Sequence, residues 1–378
     1  MKRIKVMRII ARMNVGGPAV QISGLMRGLD SSKFDQVLVT GQCAEDEADY
    51  IETQGQDVEA LRIQGLGRAI NFRDDIRAFR ELQAVIRDFQ PDIIHTHTAK
   101  AGVVGRMAAL TSHRKAHLVH TFHGHLLNGY FPPAKTRVVV EVGRKLAKQT
   151  QALISVGEKV RDDLLNAGIG TPEKFRIIPP GLVLPSQPAR EDARAALGLI
   201  GNNFTVAFIG RITNIKRPDR FLEVVRSIQQ QTPDVNFLVA GAGNLEPEMR
   251  ECVEREGLPV TLLGWRSDVE TVLAASDALI LTSDNEGTPL SLIQAGMAGL
   301  PVVSTNVGSV REIVRDNVTG FLCPLDADEL SSTLLRLVND PAQAHEMGAQ
   351  GKEFTDANFG VSRLVRDHEN LYLSLRST

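Results

Sequence analysis

Short apolar runs alternate with longer amphipathic stretches along both halves of this 378-residue chain. Parallel strands cannot be joined by a tight turn and need a crossover of about a dozen residues or more, usually a helix. The alternation therefore predicts an α/β fold with parallel sheets built from βαβ units. The predicted strands are residues 6–10, 36–40, 92–96, 118–122, 152–156 and 175–178 in the first half, and 205–209, 236–240, 260–263, 278–282 and 301–304 in the second.

A proline-rich segment, Pro179-Pro-Gly-Leu-Val-Leu-Pro-Ser-Gln-Pro188, separates the two halves and has no periodicity. The chain length also favours two domains over one. We expect a Rossmann-like domain in residues 1–183 and a second in residues 184–360. An amphipathic helix in residues 361–378 is expected to pack back on the first domain. Doubly wound domains of this kind are expected to bind ligands in a cleft between them, at the carboxyl ends of their strands.

The composition excludes several classes of protein. Charged residues at 23% and apolar residues at 43% are typical of a soluble globular protein. No run of about 18 apolar residues occurs, so no membrane span is predicted. Residues 1–183 carry a net charge of +7 and the rest carry −9, which indicates two different working surfaces. Neither half is basic enough to predict nucleic-acid binding. The three cysteines have no paired or metal-type spacing, which favours a reducing cytoplasm.

A polar segment of residues 284–296, DNEGTPLSLIQAG, joins a predicted buried strand to a predicted helix. Thr288 is the expected N-cap and Pro289 the expected first helical residue. The free backbone N–H groups of that first turn, near Leu290, form a site for an anion.

Two polar side chains flank this expected anion site. Glu286 precedes the helix, and Gln294 shares the helix face of Leu290. A phosphate at the N–H groups, with hydroxyl-rich groups at Glu286 and Gln294, would describe a nucleotide sugar. The alternative is an ordinary capped helix with a solvated glutamate.

The loop after the strand at 205–209 carries two cations. Gly210 allows a ligand to approach the backbone closely. Arg211 and Lys216 suit a diphosphate whose negative charge grows as it leaves. The alternative is a solvated basic loop.

Glycine turns follow two further strands and are weaker signals of the same kind. Gly16 and Gly17 lie between the first strand and the first helix, and Gly241-Ala-Gly243 follows the strand at 236–240. Glycines at such turns let a ligand touch the backbone.

Seven of the nine histidines lie between His95 and His125. The spacings His95-Thr-His97 and His123-Gly-His125 could chelate a metal. However, no Asp, Glu or Cys lies among them, and no metal site is predicted. His123, at the tip of the strand at 118–122, is the histidine best placed to face the cleft.

Six segments, in this order, resemble family 4 of the retaining glycosyltransferases, which have the GT-B fold. The family usually has a glutamate, seven further residues and a second glutamate, whereas this chain has Glu286 and then Gln294. The six segments are Gly16-Gly17, Pro91-Asp-Ile-Ile-His-Thr-His97, Thr121-Phe-His-Gly124, Gly210-Arg211 with Lys216, Glu286-Gly-Thr-Pro-Leu290 and Gly299-Leu-Pro-Val-Val303.

The resemblance implies a role for each matching residue. Arg211 and Lys216 would bind the donor diphosphate, and Glu286 would accept hydrogen bonds from the donor sugar. Gln294 would contact the ribose, and His123 would contact the sugar. The further donor-binding residues implied are Gly16, Gly17, Gly210, Gly243, Trp265, Arg266, Gly287, Thr288, Pro289 and Leu290.

The resemblance also implies a retaining transfer by front-face attack, with no metal, no cofactor and no protein nucleophile. The expected donor is a UDP-sugar, and the expected acceptor is a glycan or lipid-linked precursor of a surface polysaccharide. Two other functions stay open on the sequence. A sugar-nucleotide epimerase shares the fold, and Gln294 would also suit a catalytically dead sugar-nucleotide-binding protein.

One segment indicates contact with an anionic membrane. Leu126-Leu-Asn-Gly-Tyr-Phe131 precedes a stretch that carries Lys135, Arg137, Arg144, Lys145 and Lys148 against a single Glu141. Apolar side chains beside a basic helix can dock on an anionic leaflet. We therefore expect a cytoplasmic protein that binds the inner face of the cell membrane through residues 126–148.

Overall fold

Two parallel sheets form from the apolar runs. The structure is a computed structural model that describes residues 2–44, 47–67, 71–124 and 133–376, without the side chains of residues 133–135. The chain divides into two units, of which unit 1 is Met1–Leu182 with Val361–Thr378 and unit 2 is Val183–Gly360. The division falls inside the proline-rich segment that separates the two halves of the sequence.

Unit 1 contains a seven-stranded parallel sheet in the order β3-β2-β1-β4-β5-β6-β7. The order reverses between β1 and β4, and open α/β sheets bind ligands at such a reversal. The strands are β1 (Ile4–Arg12), β2 (Phe34–Gly41), β3 (Leu61–Arg62), β4 (Ile93–His97), β5 (His117–Phe122), β6 (Ala152–Ser155) and β7 (Phe175–Ile177).

Unit 2 contains a six-stranded parallel sheet in the order β10-β9-β8-β11-β12-β13, which reverses between β8 and β11. The predicted α/β class with two doubly wound sheets is confirmed. The strands are β8 (Thr205–Ile209), β9 (Asn236–Ala240), β10 (Val260–Gly264), β11 (Ala278–Leu281), β12 (Val302–Thr305) and β13 (Gly320–Cys323).

Helices connect the strands and cover the sheets. Helix α3 shows how the sequence sets their ends, because Asn71 Oδ1 accepts a hydrogen bond from the Arg73 N–H and Gln90 ends the helix at φ +54°. The helices are α1 (Gly17–Gly28), α2 (Tyr50–Thr53), α3 (Phe72–Phe89), α4 (Ala99–Leu110), α5 (Pro133–Gln149), α6 (Glu158–Asn166), α7 (Arg190–Ala196), α8 (Pro218–Gln231), α9 (Glu246–Glu256), α10 (Val269–Ala274), α11 (Leu290–Met297), α12 (Ala327–Asn339), α13 (Pro341–Phe359) and α14 (Val361–Arg376).

The last helix, α14, packs against α1 in unit 1. Gly24 and Gly28 allow this close approach, since a Cβ at Gly28 would lie 2.4 Å from the Cγ2 of Val365. Leu364 and Tyr372 of α14 are fully buried in the core that contains β1. Burial of one such side chain stabilises a fold by roughly 1.5–3 kcal/mol. The first unit therefore includes residues from both ends of the described chain.

Candidate active site

The carboxyl ends of β8 and β11 bring Lys216 and Glu286 together. Lys216 Nζ lies 2.5 Å from Glu286 Oε1, and only 15% and 11% of the two side chains are exposed. Ser283 Oγ donates a second hydrogen bond to the same Glu286 oxygen at 2.6 Å. A mostly buried ion pair needs such additional hydrogen bonds to offset the loss of hydration. The two loops thus present a cation and an anion side by side.

Backbone hydrogen bonds fix the two loops against each other. The Asp284 N–H donates to the Ile215 carbonyl at 2.9 Å. Thr282 Oγ1 donates to the Lys216 carbonyl at 2.8 Å. These bonds hold Lys216 in position although it lies 70 residues from Glu286 in the sequence.

Gly308 lets a third loop, the one after β12, lie against Glu286. Its φ is +52°, and a Cβ at this position would lie 1.7 Å from the Glu286 carbonyl oxygen. The next residue, Ser309, donates its N–H to the Gly287 carbonyl at 3.1 Å. Only glycine fits at position 308. The close contact holds the backbone of Glu286 and Gly287 in place against the loop after β12.

The helix that follows Glu286 begins one residue later than predicted. Pro289, not Thr288, is the N-cap of α11, with extended backbone angles of −71° and 117° and no side-chain cap. The helix starts later because the backbone of Pro289 itself is extended, so the first residue with helical geometry is Leu290. The N–H groups of Leu290 and its successors lack intrahelical partners, and an anion site at this helix start stays a prediction. Gln294, one turn on, is half-buried, and its side chain makes no hydrogen bond to the described residues.

Arg211 differs from Lys216 in its surroundings. Its side chain is exposed and has no ion pair among the described residues. Gly210 has a φ of +158°, and a Cβ there would lie 3.5 Å from Lys216 Cε, an ordinary contact. Gly243, in contrast, is required for packing, because its Cβ would lie 2.2 Å from the Ile212 carbonyl oxygen. The structure therefore explains Gly243 without a ligand.

The loop after β10 carries Trp265 and Arg266. Trp265 is 42% exposed, an unusual state for the largest apolar side chain. Arg266 is engaged by Asp268 through two hydrogen bonds of 2.8 and 2.5 Å. These bonds lower the pKa of the Asp268 carboxyl. The aromatic ring, more than the arginine, is thus available to a planar ligand.

In unit 1, the end of β1 leads into a glycine turn. Gly16 has a φ of +156°, and helix α1 begins at Gly17. A Cβ at Gly16 would meet only the Asn14 carbonyl oxygen, at 4.0 Å. The backbone is therefore accessible at this turn, as expected for a place where a ligand approaches closely.

His123 follows β5 directly and contacts a histidine of β4. Its Nε2 lies 3.0 Å from His97 Nδ1, and the rings are 5.3 Å apart. Burial lowers the pKa of His123 to about 4 and places the pKa of His97 well below the ordinary value of 6.5. Both imidazoles are therefore neutral at physiological pH.

A buried polar cluster surrounds this histidine pair. His95, on the same face of β4, contacts His97 with ring centroids 4.1 Å apart and the ring planes tilted by 33°. The two ring nitrogens of His95 lie 2.6 Å from the Tyr372 hydroxyl and 2.7 Å from the Thr121 hydroxyl. Arg8 is fully buried nearby and donates to Gln36 and to the Tyr372 hydroxyl.

Comparison with known proteins gives the family. Residues 16–181 match the glycosyl transferase 4-like domain, and residues 189–354 match glycosyl transferases group 1. The chain is 30% identical over 341 residues, 86% of each chain, to UDP-Gal:α-D-GlcNAc-diphosphoundecaprenol α-1,3-galactosyltransferase of Escherichia coli. The protein is a family 4 glycosyltransferase. It is also 25% identical over 318 residues to the putative glycosyltransferase EpsD of Bacillus subtilis, covering 79% of this chain and 80% of that one.

Solved structures share the fold of this glycosyltransferase. Sucrose-phosphate synthase from Thermosynechococcus elongatus has a TM-score of 0.85 at 22% identity, with 99% of this chain and 100% of that chain covered. Anabaena HepE in complex with UDP-glucose has a TM-score of 0.82 at 21% identity, with 98% and 100% covered. The GT-B fold expected from the resemblance is confirmed. The family also identifies the enzyme as a hexosyltransferase, and nothing in these comparisons supports an epimerase.

Sequence reasoning missed an arginine pair beside the glycosyltransferase site. Arg220 is buried in the first turn of α8 and binds Asp284 at 2.8 Å and the Thr282 carbonyl at 2.7 Å. Arg217, at φ +52°, binds the same carboxylate at 3.1 Å. A cation in the first turn of a helix interacts unfavourably with the helix dipole. An arginine at this place in the sequence therefore indicates a nearby carboxylate, and this signal could have revealed the pair.

The described residues contain no group of three or more His, Cys, Asp or Glu side chains arranged to hold a metal ion. No helix among them is long and apolar enough to cross a bilayer. Metal independence of the glycosyltransferase stays a prediction, which a transfer assay in EDTA can test.

Proposed function

We propose that this glycosyltransferase moves a hexose from a UDP-sugar, with retention of configuration, to a glycan carried on a lipid diphosphate. The observation that carries the proposal is the 30% identity, over 86% of both chains, to an enzyme named for UDP-galactose and a diphosphoundecaprenol acceptor. The solved HepE complexes with UDP and UDP-glucose support the choice of base at the level of the shared fold.

The donor site of the proposal lies in unit 2. The N–H groups of the first turn of α11 and the Lys216 ammonium would hold the diphosphate, with the exposed Arg211 as a second cation. Negative charge would then develop on the leaving diphosphate beside cations and N–H groups that are already in place. Such preorganised electrostatic stabilisation is usually the largest single contribution to catalysis. Glu286, released from Lys216, would accept hydrogen bonds from the sugar. Gln294 would accept from the ribose through its amide oxygen.

Retention would follow from attack on the face that the diphosphate leaves. The leaving phosphate oxygen would take the proton of the acceptor hydroxyl, so no protein base and no protein nucleophile are needed. Gly16, Gly17 and His123, at the strand ends of unit 1, are proposed for the acceptor and the sugar.

A transfer assay tests the proposal. The purified protein is incubated with UDP-Gal, UDP-Glc, UDP-GlcNAc or GDP-Man and with an α-GlcNAc-diphosphate on a short alkyl chain. We expect one UDP-sugar to give an α-linked disaccharide by NMR, unchanged by EDTA. Loss of activity in EDTA would refute metal independence. Donor turnover without acceptor would indicate an epimerase, and donor binding without any turnover would indicate a dead binding protein.

We further propose that α5 docks the enzyme on an anionic membrane that carries its acceptor, on the cytoplasmic face. Helix α5 exposes Arg137, Arg144, Lys145 and Lys148, together with Val138 at 63% exposure. Each cation near an anionic leaflet contributes about 1 kcal/mol. The apolar part of the predicted membrane segment, residues 126–131, lies outside the described residues.

Vesicle flotation tests this surface. We expect binding to phosphatidylglycerol vesicles that falls with added salt, and a clear loss in the double variant Lys145→Glu/Lys148→Glu. Arg87→Glu reverses a charge on α3, at 74% exposure, and serves as the matched control. Equal binding by the double variant and the control would show that α5 is not the membrane-binding surface.

A further inference from the structure

The hydrogen bond between His97 and His123 has two possible directions, and the surroundings distinguish them. Neutral imidazole carries one proton, so one nitrogen donates and the other accepts. Either His97 Nδ1 donates to His123 Nε2, or His123 Nε2 donates to His97 Nδ1. The choice also decides which nitrogen of His123 keeps a proton for another partner.

The second nitrogen of His97 decides the direction. His97 Nε2 is buried and has no hydrogen-bond partner among the described residues. If His97 Nδ1 accepted, Nε2 would be a buried N–H without an acceptor, and orphaned buried donors are rarer than unsatisfied acceptors. If His97 Nδ1 donates, Nε2 is a bare nitrogen that needs no acceptor. The second arrangement leaves no buried N–H unsatisfied.

Helix α14 holds the ring of His97 in place through His95. Arginine can only donate, so Arg8 donates to the Tyr372 oxygen, and the Tyr372 O–H is free to donate to His95 Nδ1. His95 Nε2–H then donates to Thr121. His95 is thereby fixed at both nitrogens, and its ring contacts that of His97 at a centroid distance of 4.1 Å. His368 of α14 stacks on the His95 ring at 5.8 Å.

We propose that His97 is a positioning residue that fixes His123 as the Nδ1–H tautomer, so that His123 meets its substrate as a hydrogen-bond donor and not as a base. The substrate class is an oxygen of the sugar or diphosphate, and this part rests on the proposed function. A donor there stabilises negative charge and removes no proton from the acceptor hydroxyl. The tautomer itself depends only on the contacts within unit 1.

Nitrogen NMR of the wild-type protein tests the tautomer without an activity assay. Long-range ¹H–¹⁵N spectra of histidine-labelled protein distinguish a protonated Nδ1 from a protonated Nε2. The His123 signals are assigned by their loss in His123→Asn. We expect a protonated Nδ1 and a bare Nε2 at pH 7.5. A protonated Nε2 would overturn the proposal.

Kinetics of His97 variants test the positioning role. Asparagine places an amide N–H near the position of Nδ1, whereas leucine does not. We expect His97→Leu to lower kcat about tenfold to a hundredfold, with the KM for the donor changed less than threefold, because small misplacements of a reacting group are costly. His97→Asn should recover kcat to within about threefold of wild type. The control is His113→Leu, at an exposed histidine of unit 1, which should leave kcat unchanged.

The outcomes separate this inference from the proposed function. A folded His97→Asn protein no more active than His97→Leu would refute positioning by this hydrogen bond. If His97→Leu does not fold, the wild-type spectrum alone decides the tautomer. A protonated Nδ1 in a protein that transfers no sugar would sustain the tautomer and refute the proposed function.

Discussion

The carboxyl ends of the two sheets hold different kinds of polar group. In unit 2 the central groups are charged and retain some contact with solvent, as the 15% and 11% exposure of Lys216 and Glu286 shows. In unit 1 they are imidazoles, of which His97 is buried and His123 half-buried, and desolvation lowers the pKa values of both. Unit 2 is therefore suited to binding charge, and unit 1 to presenting hydrogen bonds of fixed direction.

This difference follows from the cost of burial. The Lys216–Glu286 pair is mostly buried but keeps some contact with solvent, so water or a ligand can replace each lost contact when the two side chains separate. A buried imidazole cannot take up a proton without a large desolvation penalty, so it stays neutral, and its hydrogen bonds then fix one tautomer. One topology thus supports two kinds of chemistry, and the side chains at the strand ends, an ion pair in unit 2 and imidazoles in unit 1, select between them. Four measurements would break or sharpen this contrast.

The largest effect is expected at the cations of unit 2. Lys216→Ala and Arg211→Ala should each lower turnover about a hundredfold, about 3 kcal/mol, because each removes a charge aimed at the leaving diphosphate. Arg250→Ala, at an exposed arginine of α9, is the control and should be silent. Near-normal turnover in the Arg211 variant would identify that residue as part of a solvated loop.

A smaller loss is expected at the anion of the pair. Glu286→Gln keeps the shape but removes the charge that strengthens the hydrogen bonds from Ser283 and from the donor sugar. We expect turnover to fall about thirtyfold, equivalent to ~2 kcal/mol. Glu251→Gln, at 78% exposure on α9, is the control for loss of an acidic charge. If turnover in Glu286→Gln stayed above a third of wild type, the carboxylate would not be needed.

Acid should destabilise unit 1 and not unit 2. The folded pKa values are lowered, to about 4 for His123 and about 3 for His368, so below pH 6.5 the unfolded chain takes up these protons first. Stability is unaffected above pH 6.5 and is lost as pH falls from there toward pH 4. Each such histidine should lower the free energy of unfolding by about 1.4 kcal/mol for each pH unit in this range.

Urea unfolding between pH 7.5 and 5 measures this loss. Trp265, the single tryptophan, reports on unit 2, and hydrogen exchange of β4 and β5 peptides reports on unit 1. His368→Phe should reduce by one the number of protons that unit 1 takes up on unfolding, as given by the slope of its unfolding free energy against pH. His113→Gln should leave this slope unchanged. Parallel acid losses in both units would contradict the contrast between them.

The smallest effect is expected at Gln294. Gln294→Glu should change donor affinity by tenfold or less, on the order of 1.4 kcal/mol, because an amide oxygen already accepts a hydrogen bond from a ribose hydroxyl. Titration with the UDP-sugar measures it. If Gln294→Glu switched on transfer in an inert protein, the natural chain would be a disabled enzyme.

Much of the fold could be predicted, because buried strands are continuous apolar runs. Two strands were nevertheless not predicted. Strand β3 contains only the exposed Leu61 and Arg62 at the sheet edge, and β13 begins at a glycine shortly after β12. Strand β3 has neither the length nor the pattern that marks a buried parallel strand, whereas β13 is a short apolar run that the prediction passed over.

The candidate site was predictable only where its signal is local. Gly210, Glu286 and the start of α11 are visible in single loops, although the N-cap was predicted one residue too early because Pro289 adopts an extended backbone. The contacts between distant segments were not visible. The Lys216–Glu286 pair and the His95–Tyr372 bond join positions 70 and 277 residues apart, and no periodicity encodes such a pairing.

The place of α14 has a consequence for how this chain is made. Leu25, which lies under α14 in the core of unit 1, leaves the ribosome long before Leu364. At about 5–20 residues per second, the intervening residues 183–360 take roughly 10 to 35 s to synthesise. Unit 2 is continuous in sequence and is complete once residue 360 has been made, whereas Leu25 of α1 stays uncovered until α14 has followed. Although unit 1 is translated first, its core is therefore completed last.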